Sequence, residues 1–142
     1  MIVSIDFSSA YESLQQRVAL FRLLHFSSSD SKPAPPLLNE DSIPLLKSFY
    51  LDGLNKVCKR LKSWISTTTI SDDSVSIEMP ELENEKDTPS MFQSMIADTL
   101  KIAVEYHVLS TLYANYDEVM STQFSNQSDD ILNSLLEILA LI

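Results

Sequence analysis

A long amphipathic helix is predicted by the stretch SIPLLKSFYLDGLNKVCKRLKSWI, residues 42–65. Apolar side chains recur there every three or four residues, which is the spacing of one buried helix face. Pro44 lies in the first turn, where its missing N–H costs no hydrogen bond. Gly53 lies in the middle, where Gly costs about 1 kcal/mol relative to Ala; it would permit a close helix crossing. Four basic residues follow where positive charge complements the helix dipole: Lys56, Lys59, Arg60 and Lys62.

The glycine content supports a helical fold for the rest of the chain. The chain has 142 residues, enough for one domain with a core. It contains one Gly, whereas an average usage of ~7% predicts about ten. Tight β-turns and phosphate-binding loops depend on Gly. We therefore expect a single helical domain over residues 1–142 and disfavour nucleotide-binding folds.

Charge is distributed unevenly along the chain. The formal net charge is −10 and the isoelectric point is about 4.4. Residues 1–77 are neutral overall, because eight acidic residues balance eight basic ones, and the whole charge of −10 falls in residues 78–142. Nucleic-acid binding needs a basic surface, so no direct nucleic-acid contact is expected. No apolar run approaches the ~18 residues of a membrane span, and no signal peptide or membrane contact is expected.

Before the helix at residues 42–65, the sequence predicts a short apolar segment and a first helix. Residues 1–5, MIVSI, fit either a strand or a tethered terminus. Ser9 and Glu12 have the spacing of a capping box and predict a helix over about 9–25. Residues 27–41, SSSDSKPAPPLLNED, contain three prolines that cannot continue a helix. This segment is a plain loop or a docking arm.

After the helix at residues 42–65, the sequence predicts a β-hairpin and two further helices. Apolar and polar residues alternate around a turn-like SDDS, so strands are expected at 67–70 and 75–79, and 2–5 is a possible third strand. A central, heavily buried helix is predicted over about 89–115. We expect a break at 125–128 and a last helix capped by Ser128. The predicted fold is mainly α, a bundle of about four helices with one small β-hairpin between helices 2 and 3.

The histidines, the cysteine and the carboxylates, which are residue types that perform chemistry, have simpler interpretations here. Neither His25 nor His107 has a cysteine or carboxylate at metal-ligand spacing, and an ordinary core or boundary position is favoured for both. Cys58 lies in the apolar stripe and fits a core thiol. The carboxylates, Glu105 among them, fit a solvated acidic surface better than acid–base catalysis. We therefore predict no catalytic, cofactor-binding or metal-binding residues, no cofactor, and a protein that is not an enzyme.

Two groups of residues are candidates for protein–protein contacts. The basic end of the second helix, Lys56, Lys59, Arg60 and Lys62, would face an acidic segment of the same or a neighbouring copy: Glu81, Glu83 and Glu85. Tyr106, Tyr113 and Tyr116 share one helix face. They are interpreted either as core residues or as a subunit interface, where tyrosine is enriched.

The order of elements resembles the small helical head–tail connector (neck or adaptor) proteins of tailed bacteriophages. The resemblance covers residues 42–142: the helix LLKSFYLDGLNKVCKRLKSWI, the strand pair TTTI and SVSIEMP, and the helix MFQSMIADTLKIAVEYHVLSTLYANY. The Pro-rich 33–36 segment and the acidic C-terminal half depart from it. The resemblance implies a structural protein that forms a homo-oligomeric ring, docks to portal or tail components, and is located in the virion.

The residues also allow another interpretation. An acidic helical regulator or inhibitor that binds a basic protein partner would have the same composition, and it would be cytoplasmic. Acidic side chains clustered on one exposed face would favour the regulator. A ring needs two different complementary surfaces on each subunit.

Overall fold

The structure, a computed structural model, describes residues 2–25, 43–79 and 90–141. Within these ranges the elements are, in chain order, β1 (Ile2–Asp6), α1 (Phe7–His25), α2 (Ile43–Arg60), β2 (Thr67–Ile70), β3 (Ser74–Glu78), α3 (Ser90–Leu112) and α4 (Glu118–Ala140). The predicted class is confirmed: the fold is mainly α, with the β-hairpin between α2 and α3. The predicted 27–41 loop or arm and the acidic segment containing Glu81, Glu83 and Glu85 lie outside the described residues.

The hairpin forms a three-stranded antiparallel sheet together with β1. The strand order is β1-β3-β2. In the centre, Ile77 pairs with Val3 on one side and with Thr68 on the other. Because side chains alternate between the two faces of a strand, one face of β1 and β3 is apolar and fully covered: Val3, Ile5, Val75 and Ile77. The strand predicted for residues 2–5 is thus confirmed, and it extends the hairpin.

Helix α2 places its apolar stripe in the core. The buried positions recur at helical spacing and continue into the turn that follows: Leu46, Tyr50, Leu54, Val57 and Leu61. The helix ends at Arg60 rather than near residue 65, and Trp64 N donates to Leu61 O at 2.7 Å in the following turn. Cys58 is half-buried at the edge of the stripe, not in the core as predicted.

Helices α3 and α4 form the largest helix–helix contact. Tyr113 N–H donates to Leu109 O as α3 ends, and Asp117 caps α4 by accepting a hydrogen bond from Met120 N at 3.1 Å. The predicted break at 125–128 and the cap at Ser128 are wrong, because α4 runs without interruption from Glu118 to Ala140. Ser128 is fully buried, and its hydroxyl donates to Ala103 O of α3 at 2.8 Å.

The start of α1 also differs from the prediction. The helix begins at Phe7, two residues before the predicted Ser9–Glu12 capping box. Asp6 takes the capping position: its carboxylate accepts hydrogen bonds from Ser8 N at 3.4 Å and from the Ser9 hydroxyl at 3.0 Å. The chain therefore passes from β1 into α1 with no linker. This holds α1 against the sheet.

Helices α2 and α3 pack closely where they meet at Gly53. A Cβ atom at Gly53 would lie 3.1 Å from Val104 Cγ1 and 3.2 Å from His107 Cδ2. These distances are shorter than ordinary packing contacts, so a side chain at Gly53 fits only if Val104 and His107 shift by a few tenths of an ångström. None of the described helices is long and apolar enough to cross a membrane.

Candidate functional site

The basic end of α2 is partly bound within the chain. Lys56 Nζ lies 2.8 Å from Asp129 Oδ1 of α4, and Arg60 donates a hydrogen bond to the Asn133 side-chain oxygen, also on α4. Lys56 therefore joins α2 to α4. Of the four basic residues predicted to contact another copy, Lys59, Arg60 and Lys62 are exposed and Lys56 is half-buried, and all four stay candidates. Their predicted acidic partners lie outside the described residues, so this pairing stays a prediction.

The predicted tyrosine face divides between the core and the surface. Tyr113 is fully buried, and its ring lies 5.5 Å from the ring of Phe124 and 6.4 Å from that of Phe21. Burial raises the pKa of Tyr113 to about 12. The interpretation of Tyr113 as an interface residue is therefore wrong, and its interpretation as a core residue is the one that fits. Tyr116 follows in the turn after α3, is 36% exposed, and remains a surface candidate.

A buried carboxylate on α3 is the site that sequence interpretation missed. Glu105 was assigned to a solvated acidic surface, but it is buried. Arg17 Nε lies 2.7 Å from Glu105 Oε1, and the Ser13 hydroxyl donates to Oε1 at 3.2 Å and to Oε2 at 3.4 Å. Burial raises the pKa of Glu105, and the Arg17 charge opposes that rise. The one available sequence signal was an isolated acid in an otherwise apolar stretch of helix.

Glu105 lines a pocket of about 240 Å³ between β1, α1, α2 and α3, which we call the Glu105 pocket. Its polar lining residues are Ser4, Asp6, Ser9, Ser13, Tyr50 and Lys101, and Ile5 and Ala10 contribute apolar surface. The Tyr50 hydroxyl donates to Ala10 O at 3.2 Å, and burial raises the pKa of Tyr50 above its ordinary value. Both Glu105 oxygens accept hydrogen bonds from α1, so this carboxylate positions α1 on α3.

His107 is a further titratable group on α3, half-buried and away from this pocket. It faces α2 at Gly53, and the charged groups nearest to it belong to Lys56, Asp52 and Asp129. Burial lowers the pKa of His107, Lys56 lowers it further, and the two carboxylates oppose the change. Nδ1 of His107 is buried without a hydrogen-bond partner. In the described ranges, no group of three or more His, Cys, Asp or Glu side chains is arranged to hold a metal ion.

The described surface also exposes large apolar side chains. Three of them are leucines near the end of α1, each more than half exposed: Leu20, Leu23 and Leu24. We call these three the leucine face of α1. On the sheet, every residue of β2 is exposed, including Ile70 at 58%. Exposed acidic side chains of the described residues, by contrast, are spread over both ends of the sheet and all four helices.

No family model, curated protein or solved structure matches this chain. The resemblance to head–tail connectors thus stays an interpretation of the order of elements.

Proposed function

We propose that this protein is a non-enzymatic structural subunit that assembles with copies of itself and with other structural proteins, as the head–tail connectors of tailed bacteriophages do. The leucine face of α1 is the main support. Leu20, Leu23 and Leu24 lie at spacings of three and four residues, so they share one side of the helix. Apolar patches on a soluble fold mark sites of protein–protein contact.

A ring subunit needs two unlike surfaces, because each copy contacts its two neighbours differently. The leucine face is apolar, whereas the exposed Lys59 and Lys62 at the end of α2 are cationic. In the proposed ring, these two lysines face the acidic Glu81, Glu83 and Glu85 of the next copy. Exposed ion pairs contribute about 0–1 kcal/mol each, so the charges set the register and the apolar contact supplies the affinity.

The mass of the native assembly, measured by light scattering over a range of protein concentrations, tests this proposal. We expect a mass of several chains for the wild type and a smaller one for Leu23→Glu, which places a charge in the leucine face. Val119→Glu is the matched control, because Val119 is 80% exposed on α4, outside that face. A single-chain mass for the wild type at low salt and high concentration, with structural partners absent and present, would overturn the proposal.

A further inference from the structure

The outer edge of β2 presents unpaired backbone groups at two alternate residues. Ser71 N donates to Ser74 O at 2.9 Å, so these two residues form a hydrogen-bonded pair at the end of the hairpin. Hydrogen-bonded and non-hydrogen-bonded pairs alternate along antiparallel strands. In the observed register, Thr69 pairs with Ser76 by hydrogen bonds, whereas Thr68 and Ile70 occupy the intervening positions. The N–H and C=O groups of Thr68 and Ile70 therefore point away from β3.

Nothing in the composition of β2 protects this edge. Natural edge strands are commonly blocked by lysine, other charges or proline, and the β2 sequence TTTI contains none of these. Helix α2 reaches Thr68, where Cys58 Sγ lies 3.9 Å from the threonine hydroxyl, but Ile70 on the same face remains 58% exposed. The opposite edge, β1, differs because it borders the Glu105 pocket and runs directly into α1.

We propose that β2 pairs antiparallel with β2 of a second copy of this chain, with Thr69 on the two-fold axis. This inference rests on the proposed function and specifies one of its self-contacts. In this register Thr68 lies opposite Ile70 of the partner, and Ile70 lies opposite Thr68 of the partner. Both pairs are hydrogen-bonded pairs in the new ladder. All four outward N–H groups of the two strands then find an acceptor. Registers centred on Thr68 or Ile70 leave part of these groups unpaired.

The same register also matches the faces of the two sheets. Thr68 and Ile70 lie on the side of β2 that continues the apolar face of the sheet, since they pair with Ile77 and Val75. Side chains of directly opposed residues lie on one side of a sheet. The two copies therefore place their helices on the same side of a continuous six-stranded sheet, and each exposed Ile70 packs beside a threonine of the partner strand.

Charge is complementary at the two ends of this contact. The turn after β2 contains Asp72 and Asp73, and the exposed Lys62 precedes β2 by a few residues. Antiparallel pairing brings the end of one β2 to the start of the other, so the acidic turn of each copy lies near Lys62 of its partner. Asp72 also lies 3.7 Å from Lys47 Nζ of its own chain, so Asp73 is the acid that faces Lys62, and Lys59 then serves the ring contact. The strand itself has no charge, and thus the pairing opposes no like charges.

A two-fold contact closes after two copies. If the β2 contact is the sole self-contact, the product is a dimer. If the copies also form a ring, the β2 contacts join two rings. Breaking the β2 contact halves the native mass in both cases. Ile70→Lys removes the apolar contact and introduces the charge that protects natural edges. Ile2→Lys is the matched control, because Ile2 is 69% exposed on the opposite edge of the same sheet.

Disulfide cross-linking tests the register. Opposed residues of a non-hydrogen-bonded pair have Cα atoms about 4.5 Å apart, within the roughly 4.4–6.8 Å that a disulfide spans. In a Cys58→Ser background, Thr69→Cys should therefore give a disulfide-linked dimer on mild oxidation, at least about ten times faster than Thr67→Cys, which lies off the axis on the same face.

The outcomes separate this inference from the proposed function. A halved mass for Ile70→Lys, an unchanged mass for Ile2→Lys and selective cross-linking at Thr69 support the β2 contact. If the wild type is oligomeric but Ile70→Lys has the same mass, and the two cysteine variants cross-link equally, the β2 contact is wrong while self-association stands. If the wild type is monomeric throughout, both fail.

Discussion

Arg17 Nε of α1 lies 2.7 Å from Glu105 Oε1 of α3, and this ion pair joins the first helix to the centre of the bundle. The Glu105 side chain is 9% exposed and that of Arg17 is 35% exposed, so the carboxylate is the more deeply buried partner of the pair. The guanidinium carbon of Arg17 also lies 5.6 Å from the centre of the Tyr106 ring. Arg17 thus holds α1 on α3 through both charge and packing.

Removing Arg17 should cost more stability than neutralising Glu105. Arg17→Met leaves a buried carboxylate with only the Ser13 hydroxyl, and an unsatisfied buried polar group costs about 1–3 kcal/mol. Glu105→Gln removes the buried charge and keeps an oxygen that accepts from Ser13 and Arg17. Urea denaturation of both variants measures the difference in the free energy of unfolding. A larger loss for Glu105→Gln would contradict the structural role assigned to the pair.

The same carboxylate should give the protein a specific dependence on pH. Burial raises the pKa of folded Glu105 above its ordinary value of 4.5, so between the two pKa values the folded state holds more protons than the unfolded state. Stability then falls as pH rises through this window. Relative to Glu105→Gln, the wild type should lose stability as pH rises from below 4.5 and then level off. A difference that is independent of pH would show that the folded-state pKa is not raised.

The continuity of α4 can be tested with a proline in its middle. Asn126→Pro should destabilise the protein by about 3 kcal/mol or more, because proline removes a helix hydrogen bond and clashes with the preceding turn. Asn126→Ala is the control, since Asn126 is exposed and alanine favours a helix. Thermal unfolding followed by circular dichroism measures both. Equal stability of the two variants would indicate a break at 125–128.

The pKa of His107 should report the Lys56–Asp129 ion pair. Burial is the main cause of the lowered pKa, and Lys56 adds to it while Asp129 opposes it. Lys56→Met should therefore raise the pKa of His107 toward 6.5, and Asp129→Asn should lower it further. Titration of the His107 ring protons by NMR in the wild type and in both variants gives these values. If the pKa of His107 shifted in the same direction in both variants, Lys56 and Asp129 would not lie beside His107 as the structure places them.

Gly53 should tolerate alanine and reject valine. Alanine gains about 1 kcal/mol of helix propensity, which offsets the crowding of its Cβ against Val104 and His107. Valine adds two methyl groups at a crossing that has no room for them, and overpacking costs about 1–3 kcal/mol. Chemical denaturation compares the two variants directly. A valine variant as stable as the alanine variant would mean that α2 and α3 do not cross closely here.

The features predicted correctly from the sequence are those with local causes. The hairpin at β2 and β3 follows from alternating apolar residues around a turn, and α3 follows from a nearly continuous apolar pattern before the Tyr113 turn. The polar run at 125–128 predicted a break for the same local reason, since Ser and Asn favour caps and turns. It was wrong because the hydroxyl of Ser128 has a partner, Ala103 O, on another helix.

The sequence by itself determined the class of the fold, the hairpin, the central helix and the unusual acidity of the second half. The tertiary structure decided which polar residues are buried and which surfaces remain open. It placed Glu105 against Arg17, Lys56 against Asp129 and Tyr113 in the core, and it left Ile70 exposed on a strand edge. Periodicity assigns a residue to a face of its own element, but burial and charge pairing depend on which distant element covers that face.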